Sequence, residues 1–288
     1  MAEPTFTIES FTASDGYRWQ YRQYVPDVLP RARLVCVHGI QSHGGWYVHS
    51  CDQLQKAGFE VFFLDRRGSG LNQEDRGDTP SFRRLLDDVA GFLRSLQTVG
   101  HGATQSQPPK TFLIAISWGG KVALALQRRN PGPVDGIALL CPGFCPIVGP
   151  TFWQRLTILG SRFVAPRRLF PVPLNDPELF TATPVWQRFV RDDSLSLRQA
   201  TARFFVESAR LDGYLRFVPK HVTVPTLLML AEKDRIIDNA RTRRFVKRFA
   251  AADKEIVEYP GAHHTLEFEP EPERFIRDLI SWLERHIR

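Results

Sequence analysis

Apolar and polar positions along the chain change period repeatedly, from the short continuous runs of buried strands to the three-and-four spacing of helices. Residues 6–11 and 17–25 read as two strands joined by the turn Ser14-Asp15-Gly16. Residues 33–37 form a short apolar strand that runs straight into His38-Gly39. A helix is expected over 45–57, stopped by Gly58, and then a buried strand over 59–64 closing on Asp65-Arg66-Arg67-Gly68-Ser69-Gly70. Phe82, Leu85, Leu86, Val89, Phe92, Leu93 and Leu96 recur at helical spacing, with Thr79-Pro80 as cap and first-turn proline. Residues 100–109 are polar and turn-rich and read as a loop. Further strands are expected over 136–141, 226–231 and 255–259. Helices are expected over 240–250 and 273–286, the last with Phe275, Ile276, Leu279, Ile280 and Leu283 on one face.

Strand–helix alternation of this kind implies an α/β fold with a mostly parallel sheet and helices on both faces. The alternation fails between 143 and 222. Helical segments there are broken by prolines and carry Phe144, Phe152, Trp153, Phe163, Phe170, Trp186 and Phe189. Residues 1–142 and 223–288 are therefore expected to form the core domain, and 143–222 an inserted helical cap or lid.

The centre of the pattern is 111–120, Thr-Phe-Leu-Ile-Ala-Ile-Ser-Trp-Gly-Gly, followed by a helix-forming run to Arg129. A strand that becomes a helix within a few residues, with Ser117 at the corner, is a nucleophile elbow. The usual pattern is G-x-S-x-G; here Ala115 replaces the first glycine and Gly119 supplies the second. Serine needs a base, and the base needs an orienting carboxylate. Both follow in the order Ser, Asp, His. Asp234 closes the 226–231 strand, with Glu232 and Asp238 as rival acids, and His263 and His264 follow the 255–259 strand. The amides of Trp118, opening the elbow helix, and Ile40, just past His38-Gly39, are candidate oxyanion donors. His38 itself is expected to shape that turn. The histidine pair with Glu267 lacks zinc-type ligand spacing, so no metal is expected.

Composition narrows the setting. At 288 residues one sizeable core suffices, and 43% hydrophobic with 24% charged residues is ordinary for a soluble globular protein. No run approaches a membrane span, and the start lacks the basic and apolar regions of a signal peptide. Cys36, Cys51, Cys141 and Cys145 fall in no metal or redox spacing and read as buried thiols of a reducing compartment. The expectation is a cytoplasmic protein, at most peripheral to a membrane. The net charge of +7 is scattered and carries no basic stripe interleaved with stacking aromatics, so no nucleic-acid partner is expected.

These motifs together resemble the α/β-hydrolase superfamily, in the branch of monoacylglycerol lipases, lysophospholipases and related serine aminopeptidase-type hydrolases. The resemblance is carried by His38-Gly39-Ile40 with Ser42-His43, Gly58-Phe59-Glu60-Val61, and Asp65 to Gly70. Ile116 to Gly120, Asp234 to Asp238, and Tyr259 to Leu266 complete it. It spans nearly the whole chain and fails only across the insertion. The family's Gly-Ala-x-His pattern selects His264 over His263, and its acid opens an Asp-x-(Ile/Val/Leu)-x-Asp run, which selects Asp234. Asp65 and Arg67 are expected to brace the loop after their strand. The resemblance implies a cofactor-free ester hydrolase of a small-molecule or lipid ester, such as a monoacylglycerol or lysophospholipid. The cap aromatics, interleaved with Arg155, Arg162, Arg167 and Arg168, suit an acyl chain beside a head group, or weak contact with a membrane surface. A peptidase or amidase on the same triad, or a non-catalytic binding module, are the alternatives. A haloalkane dehalogenase is disfavoured because that chemistry needs a carboxylate nucleophile.

Overall fold

The computed structural model describes residues 5–98, 109–129, 132 and 134–287. Its strands are β1 (Thr7–Thr12), β2 (Arg18–Tyr24), β3 (Arg33–Val37), β4 (Glu60–Leu64), β5 (Thr111–Ile116), β6 (Gly136–Leu140), β7 (Leu169–Pro171), β8 (Gln199–Thr201), β9 (Thr226–Ala231) and β10 (Lys254–Tyr259). Eight of them form one sheet in the order β1-β2-β4-β3-β5-β6-β9-β10, while β7 and β8 pair separately. The β1–β2 and β2–β4 pairs are antiparallel and every later pair in the large sheet is parallel. The helices are α1 (Val48–Lys56), α2 (Phe82–Thr98), α3 (Gly119–Arg129), α4 (Phe152–Val164), α5 (Pro184–Asp192), α6 (Ala202–Leu215), α7 (Asn239–Lys247) and α8 (Glu273–His286). This is the α/β-hydrolase architecture.

β5 lies between β3 and β6, and all six of its residues are buried. That is why its sequence is a continuous apolar run rather than an alternating one. The α8 stripe docks Trp282 edge-on to Phe112, with ring centroids 5.7 Å apart. Gly136 makes room for both rings, since a Cβ there would lie 2.9 Å from each. α1 packs with α8, and α2 with α3.

After β6 the chain leaves the sheet and returns at β9, with α4, α5, α6 and the small β7–β8 pair in between. α4 packs on α6, and Ile158, Phe170 and Ala202 form a small core of their own. α6 in turn contacts α2 and α3. From α5, Trp186 stacks on Phe268 at 4.7 Å.

The structure departs from the sequence expectations in local detail. The first part of the predicted 45–57 helix is a tight single turn, Gly44–Trp46, before α1 begins at Val48. The break follows from side-chain demands: His43 caps the turn at Gly45, and both His43 Nε2 and Trp46 Nε1 reach Asp193 Oδ2. Ser81, not Thr79, caps α2, because Ser81 Oγ accepts from the Arg84 amide at 3.1 Å. Thr79 Oγ1 is turned to the Ser81 carbonyl instead. The β7–β8 pair was not foreseen; its strands are three residues each, too short to set a period. Of the loop expected over 100–109, only residue 109 lies within the described residues. All four cysteines are free and buried. Among the described residues no helix is long and apolar enough to cross a membrane.

Two glycines test how tightly the centre is packed. A Cβ on Gly119 would lie 2.4 Å from the Val37 carbonyl oxygen and 2.7 Å from that of His38. Gly160, in α4, has nothing within 4 Å. Gly119→Ala is expected to lower stability by about 2 kcal/mol or more. Gly160→Ala is expected to raise it by about 0.5–1 kcal/mol through helix propensity. Chemical denaturation followed by circular dichroism measures both.

Candidate active site

The site starts from backbone geometry at the end of β5. Ser117 sits at φ 50°, a left-handed conformation that a side-chain-bearing residue adopts only under constraint. Its amide donates to the Leu140 carbonyl at 2.9 Å, and its own carbonyl accepts from Gly143 N at 2.7 Å. Neighbouring chains come close. A Cβ on Gly39 would lie 3.1 Å from Ser117 Cβ, and one on Gly143 3.1 Å from Trp118 N. The result is a serine hydroxyl lifted off the sheet at the start of α3.

That hydroxyl donates to His264 Nε2 at 2.9 Å, and His264 Nδ1 donates to Asp234 Oδ2 at 2.7 Å. The other Asp234 oxygen accepts from the amides of Ile236 (2.8 Å) and Ile237 (3.1 Å). The His264 and Asp234 side chains are 3% and 0% exposed, so these bonds act in a low dielectric. The loops after β9 and β10 are laced together by Glu232 N to Tyr259 O (3.1 Å) and Lys233 N to Ala262 O (2.8 Å). The rival residues have other partners. Glu232 accepts from Gly261 N, Asp238 caps α7 at Arg241 N, and His263 Nδ1 faces Glu269 at 3.2 Å. His263, His264 and Glu267 have three different partners, Glu269, Asp234 and Ser50.

The Ile40 and Trp118 side chains line the same cavity as Ser117, and neither backbone amide donates to another acceptor among the described residues. His38 holds the turn before them. Its Nδ1 donates to Gly39 O at 2.7 Å and its Nε2 accepts from Arg66 N at 2.9 Å, which sets the tautomer. Burial, then the Arg66 charge, hold the His38 pKa well below the usual range, so the ring is neutral. Asp65 accepts from Gly44 N and Leu71 N and pairs with Arg22 at 3.2 Å. Arg67 binds Asp88 through two nitrogens and stacks on Tyr17 at 4.1 Å. Both are bracing positions.

Several contributors were not singled out beforehand. The Cys141 thiol lies within 4.8 Å of the Asp234 and His264 ligand atoms. Burial first, and the Asp234 charge beside it, push its pKa well above the usual range, so it is a thiol facing a carboxylate. Phe180 sets its edge against the His264 ring at 6.2 Å. Asp193 collects His43, Trp46 and Ser196 on one oxygen. No local sequence signal marks any of these, because each acts through a residue far away in the chain.

From Ser117 a cavity of about 630 Å³ runs beneath α4 and α6. Ile147, Val148, Ile158, Leu159, Val172 and Leu174 are among the residues that line it. On the α3–α6 side, Lys121 pairs with Asp212 at 2.6 Å and Trp118 Nε1 donates to Ser208 Oγ. The cavity lining is therefore mostly apolar, with polar groups contributed by α3 and α6.

An α/β sheet presenting Ser117, Asp234 and His264 at the ends of β5, β9 and β10 defines an α/β hydrolase. Residues 29–271 match the family described as Serine aminopeptidase, S33, and the chain belongs to that family, in the lipase and lysophospholipase branch of the fold. Among sequence relatives, it is 28% identical to the monoacylglycerol lipase of Mycolicibacterium smegmatis, with the full length of each covered. It is 26% identical to lysophospholipase L2 of Escherichia coli, covering 96% of this chain and 87% of that protein. Among solved structures, a soluble variant of Saccharomyces cerevisiae monoglyceride lipase superposes with a TM-score of 0.83 at 20% identity, covering 99% of this chain and 96% of the other.

Glu267, beside this site, gives a pH prediction. It is buried, with one oxygen accepting from Ser50 N at 3.0 Å and the other without a partner among the described residues. Burial raises its pKa from 4.5 to about 7, against the smaller opposing effect of the Ser50 bonds. The native state therefore binds more protons than the unfolded state between those values, and stability falls as pH rises through that window. The loss amounts to roughly 3 kcal/mol. Glu267→Gln, which mimics the protonated form, is expected to flatten this slope in urea denaturation between pH 4.5 and 8.

Proposed function

We propose that this chain is a serine hydrolase of carboxylic esters that works through an acyl-enzyme on Ser117 and takes lipid-like substrates, monoacylglycerols or lysophospholipids. The observation that carries the reading is the Ser117–His264–Asp234 chain of hydrogen bonds opening onto a cavity of about 630 Å³ with a mostly apolar lining. His264 takes the Ser117 proton as the hydroxyl attacks the ester carbonyl, and returns it to the leaving alcohol. Asp234 holds the imidazole tautomer and stabilises its cation. The Ile40 and Trp118 amides receive the developing oxyanion, each such donor being worth about 3–4 kcal/mol in the transition state. Water activated by His264 then releases the acid and frees Ser117. This cycle uses no metal or organic cofactor.

The cavity size suits an acyl chain. The activities named for the Mycolicibacterium smegmatis and Escherichia coli relatives support the same substrate class. The family also bears a peptidase name, but a mostly apolar lining favours an acyl chain over a polar peptide. On this reading residues 143–222 are the cap over the cavity. The outward face of α4 supports a second role for it: Trp153 is 75% and Phe163 80% exposed, alongside exposed Phe152 and Val164. A contiguous apolar helix face of this kind, with Arg155 and Arg168 nearby, suits peripheral contact with a lipid surface.

Ser117→Ala is expected to abolish hydrolysis of p-nitrophenyl esters and labelling by a fluorophosphonate, with circular dichroism unchanged. Labelling that survives at another serine would refute the assignment. A strict preference for the shortest p-nitrophenyl esters would refute the acyl-chain reading. The paired change Trp153→Glu and Phe163→Glu is expected to lower sedimentation with anionic phospholipid vesicles. Turnover of water-soluble p-nitrophenyl butyrate should be retained, and unchanged vesicle binding would remove α4 as the contact.

A further inference from the structure

Arg66 is an unusual cation for its surroundings. It is buried, it forms no ion pair among the described residues, and its Nε has no hydrogen-bond partner. The neighbouring Asp65 carboxylate is occupied by Arg22 and two amides. Burial lowers the Arg66 pKa to about 9, which leaves the guanidinium charged at neutral pH. A buried charge without a carboxylate must be held by other groups, and here its hydrogen-bond acceptors are both carbonyls of the turn at Gly39-Ile40. Nη1 donates to the Gly39 carbonyl at 3.0 Å and Nη2 to the Ile40 carbonyl at 3.0 Å. The plane sits 4.9 Å from the Trp118 ring and 5.4 Å from that of Phe204. The Arg66 amide fixes His38, whose other nitrogen also donates to Gly39 O.

We propose that Arg66 is a positioning residue of the oxyanion site, whose grip on the Gly39 carbonyl aims and polarises the Ile40 N–H. The inference rests on the serine-hydrolase reading above. The Gly39 carbonyl and the Ile40 N–H belong to one planar trans peptide, so they point in opposite directions. Two donors, Arg66 and His38, anchor the carbonyl on one side, and the N–H is thereby directed to the other. A cationic donor on the carbonyl also polarises the amide and makes its N–H a better donor to a negative oxygen. Stacking on Trp118 ties the same guanidinium to the residue that supplies the second amide. Phe204 belongs to α6, so the inserted segment forms one wall of the slot that holds Arg66.

The test compares wild type with Arg66→Met, which fills the slot without charge, and Arg66→Lys, which restores a charge and one donor. Arg66→Met should lower kcat on p-nitrophenyl esters about 10- to 100-fold, part of what losing an oxyanion donor costs, with KM changed less than about threefold. Affinity for a trifluoromethyl ketone, whose serine adduct carries the oxyanion, should fall by the same factor as kcat/KM. The acidic limb of the pH–rate profile should not move, and Arg66→Lys should recover part of kcat. A kcat within about twofold of wild type, an unchanged ketone affinity, or a displaced acidic limb overturns the proposal. If Arg66→Met does not fold, Arg66→Gln, which removes the charge, is read by the same criteria, and Arg66→Lys remains the rescue. A wild-type chain with neither ester turnover nor labelling at Ser117 sinks the hydrolase reading, and the role of Arg66 falls with it. An active wild type with an unaffected variant sinks the role of Arg66 alone.

Discussion

Between β5 and α3 the chain has to reverse from strand to helix at a residue that carries a side chain, and it does so with Ser117 at φ 50°. Such a backbone costs on the order of 1–3 kcal/mol and persists only where its surroundings over-determine it. Here they do. Leu140 and Gly143 clamp the serine peptide from the β6 side, while Gly39 and Gly119 let β3 and the elbow approach within contact. β5 is buried along its whole length in the middle of the sheet, so the strained corner stands on a strand paired on both sides. The serine hydroxyl has few places to go, and the rest of the site is built to meet it.

Meeting it requires two loops from the far side of the sheet to hold their shape without regular structure. They do this by hydrogen-bonding to each other across the β9–β10 edge and by giving every polar rival a job elsewhere. The same economy governs the loop after β4. Asp65, Arg67 and Asp88 are buried charges, and each is saturated by partners, which is the condition under which burial of charge is tolerated. Arg66 is the exception in that loop, and its partners are the Gly39 and Ile40 carbonyls and the faces of Trp118 and Phe204.

The segment between β6 and β9 is joined to the core through specific contacts and not only through apolar packing. Burial tends to raise the pKa of Asp193, but hydrogen bonds from His43, Trp46 and Ser196 outweigh it and hold the carboxyl below the usual range. One carboxylate therefore pins the end of α5 to the turn that follows Ile40. α6 supplies Phe204 to the Arg66 slot and Ser208 to Trp118, while α4 shields one wall of the cavity and exposes an apolar face outward. A movement of this segment would thus be felt both by the cavity and by the turn beside Ser117.

Most strands and helices were legible because each is a local pattern: β3, β5, β9 and α8 are readable from a few consecutive residues. The errors were local too, as at Ser81, where a cap is chosen by which hydroxyl reaches the Arg84 amide. The candidate serine, acids and histidines were legible because polar residues at strand ends stand out against apolar runs. From the residues alone the choice between His263 and His264, or among Glu232, Asp234 and Asp238, stayed open, and family resemblance selected one of each. Only the tertiary structure brings His264 to a hydroxyl 147 positions earlier and turns His263 to Glu269. It alone decides the shape of the cavity, the thiol of Cys141 beside Asp234, and the place of Arg66 against the Gly39 and Ile40 carbonyls. The physical reason is the same for each. Strand and helix periods are set by neighbours in sequence, whereas a partner for a buried polar group is set by which distant segment the sheet order brings alongside.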